Sequence, residues 1–335
     1  MKHISIALFV CLLLASQISC KKEDLNPPEG SVNPPEDSTN ITLLAEGGRS
    51  PAWSPNGKKI AYIYEESLYL MNSDGSDKRE LENDLYEYPP IWSPSGDNML
   101  YLGHSDLAGW DLFRIDANGE NKTSLCGTTT KPHHASWSPD GQKIAFTTYH
   151  ATLSVMNADG TNLHTVLNDV NTWQTPRWSP DMNKLLFTSG FDYDRDAYLI
   201  NSDGSNLIRL PIDSVWESDV QFSIDGTKVF TSGNGDIYSI NSDGSGITNL
   251  TDGQGQNGNF QLSPDGTKVA FTSSRDGDAA LYIMASDGSG QQGLVGPVTG
   301  YNGISWSPDG KEIAFYLDKD IKGGIYSIMV PHTIQ

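Results

Sequence analysis

The sequence Trp137-Ser138-Pro139-Asp140-Gly141 recurs seven times along this chain in slightly different forms, and its spacing decides the fold. Each copy starts with a large apolar residue and continues into a turn sequence, and the copies begin at Trp53, Trp92, Trp137, Trp178, Phe222, Leu262 and Trp306. Successive copies stand 39 to 45 residues apart. A repeat of about 40–45 residues is typical of the blades of a β-propeller.

One repeat contains four short strand patterns, here named a to d from the start of the repeat. In the third repeat they are Ala135–Trp137, Lys143–Thr147, Leu153–Asn157 and Leu163–Leu167. Ser-Pro-Asp-Gly between a and b has the residue preferences of a type I turn, and Asp-Gly between c and d supplies a tight hairpin. The sequence therefore predicts an all-β fold of four-stranded antiparallel blades that pack against each other through the motif aromatic residues.

The ends of the repeat region predict how the ring closes. The seventh repeat has patterns for strands a, b and c at Ile304–Trp306, Ile313–Tyr316 and Ile325–Met329, and hardly any chain follows them. A lone strand pattern, residues 41–45, precedes the first repeat. Pairing this strand into the last blade completes seven blades and covers both sheet edges, so we predict a seven-bladed β-propeller closed by the N-terminal strand 41–45.

The repeat resembles that of TolB-type propellers over residues 41–335. The resemblance rests on Trp-Ser-Pro-Asp-Gly, on Lys-Ile-Ala-Phe at residues 143–146, and on a strand that ends Met-Asn-x-Asp-Gly at residues 156–160. TolB itself has a separate N-terminal domain and a six-bladed propeller, from which this chain departs. The resemblance therefore implies a binding propeller of the cell envelope, without TolB's partnership in the Tol–Pal system.

The first 40 residues are typical of an export segment and a linker. Residues 1–19 have a basic start and a short apolar run, and they end in a small residue directly before Cys20, which resembles a bacterial lipoprotein signal peptide. Lysine and acidic residues at 21–24 resemble the surface-export signal of Bacteroidota lipoproteins. We predict an outer-membrane lipoprotein with its lipid on Cys20, at the cell surface or facing the periplasm; an ordinary secretory signal is the alternative. The Pro-rich residues 20–40 predict a solvated stalk before the propeller at 41–335.

Charge and cysteine content limit the partners. The chain has 22 basic and 42 acidic residues, for a net charge of −20. Nucleic acid is excluded as a partner because phosphate binding needs clustered cations, and the membrane contact is expected through the lipid anchor only. Cys126, in the strand pattern Thr123–Gly127, is expected to pack in the core, and we expect a monomer.

Strand alternation places the uniform a–b and c–d turns on one face and the more variable b–c and d–a loops on the other, which we name the variable face. Binding residues are usually carried by such loops. Tryptophans outside the repeat motif fall there, and aromatic rings beside polar groups suit a sugar or a peptide. The alternative is that these rings fix long loops to the body of the fold. The candidate ligand-binding residues are Trp110, Trp173, Trp216, Tyr88, Tyr301 and Arg49.

Histidines also concentrate on the variable face, and a divalent metal is the one cofactor that the sequence indicates. His104, His133 and His150 are the candidate ligands, because neighbouring His133 and His134 should point to opposite sides of an extended strand. Oligogalacturonate lyases are a propeller family with similar repeats and a histidine-bound metal. That likeness supplies the alternative function, a metal-dependent polysaccharide lyase or hydrolase.

The sequence favours a binding protein over an enzyme. It contains no Gly-x-Ser-x-Gly nucleophile motif and no room for a hydrolase domain beside the propeller. The leading prediction is a non-catalytic envelope lipoprotein that binds a glycan or a protein on the variable face. A purely structural envelope scaffold is the third hypothesis.

Overall fold

The strands follow the repeats of the sequence, and each repeat supplies most of one four-stranded antiparallel sheet. The structure is a computed structural model that describes residues 41–85, 88–105, 109–127, 130–171, 174–191, 194–211, 217–296, 303–318 and 323–331, with the backbone alone for residues 191, 194, 217 and 218. The chain divides into two units, Met1–Val32 and Asn33–Gln335, and every described residue belongs to the second. The seven sheets confirm a seven-bladed β-propeller. Within the described ranges, no helix is long and apolar enough to cross a membrane.

The first four blades each take their four strands in chain order, with strand a innermost. Blade 1 is β2 (Arg49–Trp53), β3 (Lys59–Tyr64), β4 (Ser67–Asn72) and β5 (Arg79–Glu82). Blade 2 is β6 (Ile91–Trp92), β7 (Asn98–Ser105), β8 (Gly109–Asp116) and β9 (Thr123–Ser124). Blade 3 is β10 (Pro132–Trp137), β11 (Lys143–Thr148), β12 (Thr152–Asn157) and β13 (His164–Asn168). Blade 4 is β14 (Arg177–Trp178), β15 (Lys184–Phe191), β16 (Asp194–Asn201) and β17 (Ile208–Arg209).

The last three blades continue this order until the ring closes. Blade 5 is β18 (Glu217–Phe222), β19 (Lys228–Gly233), β20 (Asp236–Asn241) and β21 (Thr248–Asn249). Blade 6 is β22 (Asn257–Leu262), β23 (Lys268–Ser273), β24 (Ala280–Ala285) and β25 (Gln292–Val295). Blade 7 is β26 (Ser305–Trp306), β27 (Glu312–Leu317), β28 (Gly324–Met329) and β1 (Ile41–Glu46).

The predicted closing strand is confirmed. β1 pairs antiparallel with β28, with Ile41 opposite Ile328, and it forms the outer strand of blade 7. Leu44 of β1 packs against Gly75 in the c–d turn of blade 1. Leu81, Leu125 and Leu250 in the outer parts of other blades pack against turn glycines in the same way. The N-terminal strand therefore takes the place that strand d has in the other blades.

The motif tryptophans join neighbouring blades. Three of their indole N–H groups donate to strand a of the preceding blade: Trp92 to the Ala52 carbonyl at 3.0 Å, Trp137 to Ile91 at 3.2 Å, and Trp306 to Gln261 at 3.1 Å. The buried indole N–H groups of Trp53 and Trp178 have no hydrogen-bond partner among the described residues. Where Leu262 replaces tryptophan, the side chain of Gln221 accepts from the Leu262 N–H at 3.1 Å and donates to the Phe260 carbonyl at 3.2 Å. The motif position is structural, and blade 6, which lacks the tryptophan, is connected to blade 5 through Gln221 instead.

The Ser-Pro-Asp-Gly turns form a second ring of contacts. In blade 3, Ser138 Oγ donates to Asp140 Oδ1 at 2.6 Å and accepts from the Lys143 N–H at 2.9 Å, which fixes the turn. The second turn residue of one blade lies against the turn glycine of the next. These pairs are Pro55 on Gly96, Pro94 on Gly141, Pro180 on Gly226, Ile224 on Gly266, Pro264 on Gly310 and Pro308 on Gly57.

One local expectation is wrong. The strand predicted at Thr123–Gly127 ends at Ser124. The Asp111 carboxylate accepts from Ser124 Oγ and, at 3.3 Å, from the Cys126 N–H, so a side chain replaces the neighbouring strand as hydrogen-bond partner. Cys126 is half-buried against the core between blades 2 and 3, and burial raises the pKa of its thiol.

Candidate functional site

The inner strands surround a central channel. Its volume is about 1130 Å³, and every blade contributes lining residues from its strand a or the segment leading into it. Glu66, Asp84 and Trp110 line its mouth on the variable face, whereas Pro55 lines it at the a–b turn on the opposite face. The channel is slightly larger than most small-molecule sites, and residues of the variable loops line one of its ends.

Irregular inner strands shape this channel. Pairing between strands a and b shifts register in blades 1, 3, 5 and 6, between residues 49 and 52, 132 and 135, 217 and 220, and 258 and 261. A bulge adds a residue to one strand and re-aims the side chains beside it. Each bulge lies two to four residues before the motif position, next to residues that line the channel.

The bulge in blade 3 brings two histidines to one tyrosine. Tyr88 Oη lies 2.8 Å from His134 Nε2 and 3.4 Å from His133 Nδ1. The two imidazole centroids are 4.7 Å apart, so His133 and His134 do not point to opposite sides as a regular strand predicts. That expectation is wrong because the extra residue of the bulge breaks the alternation.

The paired histidines are neutral at physiological pH. Burial lowers the pKa of His134 to about 3, and its neighbours His133 and Arg177 contribute further to the shift. Burial also lowers the pKa of His133. A neutral imidazole has one donor and one acceptor nitrogen, so this group of side chains offers polar contacts to a ligand without positive charge.

Trp110 lies at the channel mouth and is the second residue of β8. Its side chain is 39% exposed, and its ring meets the His104 ring edge-on with centroids 5.7 Å apart. His104 Nδ1 lies 3.7 Å from Asp84 Oδ2. An indole with an exposed surface beside carboxylate and imidazole groups combines an apolar platform with polar neighbours.

Deeper in the channel lies an oppositely charged pair from blades 4 and 5. Burial is the largest influence on both groups: it lowers the pKa of the Arg177 guanidinium and raises that of the Asp219 carboxyl. Their mutual attraction opposes both shifts, and the Asn259 N–H donates to Asp219. Both side chains are surrounded by protein yet keep some accessible surface, because that surface faces the channel.

The structure describes part of the predicted ligand-binding set. Tyr88 and Trp110 both line the channel. Arg49 is exposed beside blade 7, where its guanidinium lies 5.9 Å from the centroid of the Tyr316 ring. The remaining predicted residues lie outside the described residues: Trp173, Trp216, Tyr301 and Cys20.

The structure does not bring the predicted metal ligands together. Within the described ranges, no three His, Cys, Asp or Glu side chains are arranged to hold a metal ion. His133 belongs to the Tyr88 group, His104 contacts Trp110 and Asp84, and His150 is exposed at the b–c turn of blade 3. The three histidines come from different loops, and the bulge turns His133 toward its own neighbour.

Three channel residues, Arg177, Asp219 and Asn259, were not among the residues predicted from the sequence. Arg177 directly precedes a motif tryptophan, and a comparison of the seven repeats would have found it. The equivalent residues in the other repeats carry no charge: Ala52, Ile91, Ser136, Gln221, Gln261 and Ser305. The same comparison singles out Asp219, because no other repeat has a carboxylate three residues before the motif position. The equivalent residues are Ser50, Pro89, His134, Thr175, Asn259 and Gly303.

Comparison with known proteins finds the same repeat elsewhere. The sequence matches the TolB beta propeller domain family over residues 108–251 and 229–333. An uncharacterized protein of Agrobacterium fabrum is 27% identical over 152 residues, which cover 42% of this chain and 52% of that protein. A TolB homolog of Chlorobaculum tepidum is 31% identical over 103 residues, which cover 30% of this chain and 24% of that protein. The chain thus spans about half or less of the length of these two relatives.

A solved structure extends the likeness to the whole ring. Oligogalacturonate lyase in complex with manganese superposes with a TM-score of 0.71 at 15% sequence identity. The superposition covers 89% of this chain and 95% of the lyase chain. At this identity the likeness is one of fold.

Proposed function

This chain belongs to the TolB β-propeller family, and we propose that it is a non-catalytic binding protein of the bacterial cell envelope that takes a glycan into its central channel from the variable face. The observation that carries the proposal is the exposed Trp110 at the mouth of a polar channel of about 1130 Å³. A sugar ring has apolar faces and a hydroxyl-rich edge. Trp110 offers a surface for the first, and Tyr88, His133 and His134 offer hydrogen bonds for the second.

The proposed location follows from the N-terminal sequence. We propose that residues 1–19 are removed, that Cys20 carries a lipid, and that residues 20–40 hold the propeller away from an outer membrane. A glycan ligand is compatible with the net charge of −20. Nucleic acid and an anionic lipid surface are not, because both are strongly negative.

Binding to an array of neutral and acidic glycans, followed by calorimetry on the best ligand, tests the function. We expect Trp110→Ala to raise the dissociation constant about tenfold or more, because an aromatic side chain that a bound ligand covers contributes strongly to affinity. Tyr149→Ala is the matched control, since Tyr149 is an aromatic residue on the same face that is 67% exposed and does not line the channel. Unchanged binding in Trp110→Ala, or an equal loss in both variants, would remove the channel mouth as the site.

Two other outcomes would redirect the proposal. Elemental analysis that finds a bound metal, together with cleavage of acidic polysaccharide that a chelator abolishes, would make the protein a metal-dependent lyase or hydrolase. Capture of one stable envelope protein that competes with no glycan would make it a protein-binding propeller or a scaffold.

A further inference from the structure

Arg177 places a cation in the channel. Within the described part of the chain, no hydrogen bond or ion pair joins its guanidinium to another residue, although Asp219 and His134 influence it electrostatically. A guanidinium has five N–H donors, and buried donors are almost always bonded. Arg177 lines the channel, where a ligand can reach it.

Packing does not explain an arginine at this position. The equivalent residues of blades 1 and 2 are Ala52 and Ile91, so the fold does not need a long polar side chain here. In blade 5 the equivalent Gln221 uses both ends of its amide to connect strand a to blade 6. Arg177 forms no such connection within the described residues, which leaves its charge available for a ligand.

The surrounding charges select the kind of ligand. Asp219 lies near enough to attract Arg177 but forms no ion pair with it, and its carboxylate accepts from the Asn259 N–H. His134 is neutral, so Arg177 is the one positive group among the described residues that line the channel. Asp219 repels any anion, and it repels a dianion more strongly than a monoanion, so a group with a single negative charge is the better match for Arg177. The planar guanidinium fork fits the two oxygens of a carboxylate.

We propose that Arg177 binds a carboxylate on the end of the glycan that enters the channel. This inference rests on the proposed function, and it adds the chemical class of the ligand: a sugar chain whose inserted end carries one acid group. Trp110 then contacts a sugar ring at the mouth, and Arg177 determines the preference for an acidic end. The two residues have separable effects because one contributes affinity for any sugar and the other contributes selectivity.

The test uses two disaccharides that differ only in the acid group, cellobiose and cellobiouronic acid, with calorimetry on the full-length propeller. We expect the acid to bind about tenfold more tightly, the range that one charge-assisted hydrogen bond supplies. In Arg177→Gln this preference should disappear, so that the acid binds no more tightly than cellobiose. In Asp219→Asn affinity for the acid should rise several-fold, because a repelling carboxylate is removed.

A ligand-side control avoids any dependence on the folding of variants. The methyl ester of the acid has the same shape without the charge, and it should bind the unaltered protein as weakly as cellobiose. Equal binding of acid and ester, or a preference that survives in Arg177→Gln, would overturn the inference. If both sugars bind equally and Trp110→Ala weakens both, the proposed function stands and only the carboxylate is wrong. If neither sugar binds, both are wrong for this ligand class.

Discussion

At the scale of single residues, Gly204 shows why the turn glycines of the repeat resist replacement. Its φ is +87°, and a Cβ added there would lie 2.8 Å from the Val166 carbonyl oxygen in the preceding blade. We expect Gly204→Ala to lower the free energy of unfolding by about 2–4 kcal/mol, because it combines left-handed backbone strain with a collision. Denaturant unfolding of the purified protein measures this loss.

Gly109 provides the matched control for that substitution. Its φ is +82°, but a Cβ there would meet no atom of the described residues within 4 Å. Gly109→Ala should therefore cost about 1 kcal/mol from backbone strain alone. Equal losses in the two variants would show that close contact between blades contributes nothing at Gly204.

Single residues are also where the sequence is least informative about the site. Trp110 was predicted from its position outside the repeat motif, and it lines the channel. The meeting of His133 and His134 at Tyr88 could not be predicted, because it depends on one inserted residue in a strand. The alternation of apolar and polar residues does not reveal a bulge of one residue where the residues of the bulge are themselves polar.

At the scale of the elements, the Ser-x-Asp turns predict how stability depends on pH. Hydrogen bonds from Ser138 Oγ and the Gln142 N–H lower the pKa of Asp140, and the equivalent bonds lower that of Asp225 to about 2. A carboxyl whose folded pKa lies below its unfolded value stabilises the fold fully above about pH 4. That stabilisation is lost as the pH falls through the folded pKa, so we expect the unfolding free energy to fall between pH 4 and pH 2.

Blade 1 supplies the control for this prediction. Its turn has Asn56 in place of aspartate, and the Asn56 amide oxygen accepts from Ser54 Oγ and from the Lys58 N–H in the same way. The triple variant Asp140→Asn, Asp225→Asn, Asp309→Asn should therefore fold, and its stability should depend less on pH between 4 and 2. An identical pH profile for the variant and the parent protein would show that these turns do not govern acid sensitivity.

The turns of each blade could be predicted from the sequence more precisely than the start of its strand a. The hairpin turns were located by Ser-Pro-Asp-Gly and Asp-Gly, which require specific backbone angles, and these turns occur where expected. The start of strand a was not: β10 begins at Pro132, three residues before the predicted Ala135. Those three residues include the bulge, so the part of each blade that shapes the channel is the part with the weakest local signal.

At the scale of the whole molecule, the count of repeats determined the ring and the short last repeat determined how it closes. Seven spaced motifs predicted seven blades. These blades must pack against each other because a blade cannot bury both of its faces alone. The channel follows from that geometry, yet its chemistry does not. Its lining combines residues from all seven blades, and their mutual contacts appear in no local pattern.

Closure of the ring by β1 can be tested at one buried residue. Leu44 is 3% exposed and packs in a cluster with Trp53 and Ile60 of blade 1 and Ile325 of blade 7. We expect Leu44→Ala to lower the free energy of unfolding by about 2–4 kcal/mol, since it leaves a cavity where two blades meet. Hydrogen exchange should also become faster in β28 and in the blade 1 turn at Gly75, because both depend on β1.

Leu43 is the matched control, because it is the neighbouring leucine of the same strand and is 51% exposed. Leu43→Ala should change stability by no more than about 0.5 kcal/mol and leave exchange in blades 1 and 7 as it was. If Leu44→Ala accelerates exchange in β1 alone, the strand covers blade 7 without holding the ring together. Faster exchange on both sides of the junction would show that the first strand and the last blade unfold together, as a propeller closed by strands from both ends of its chain requires.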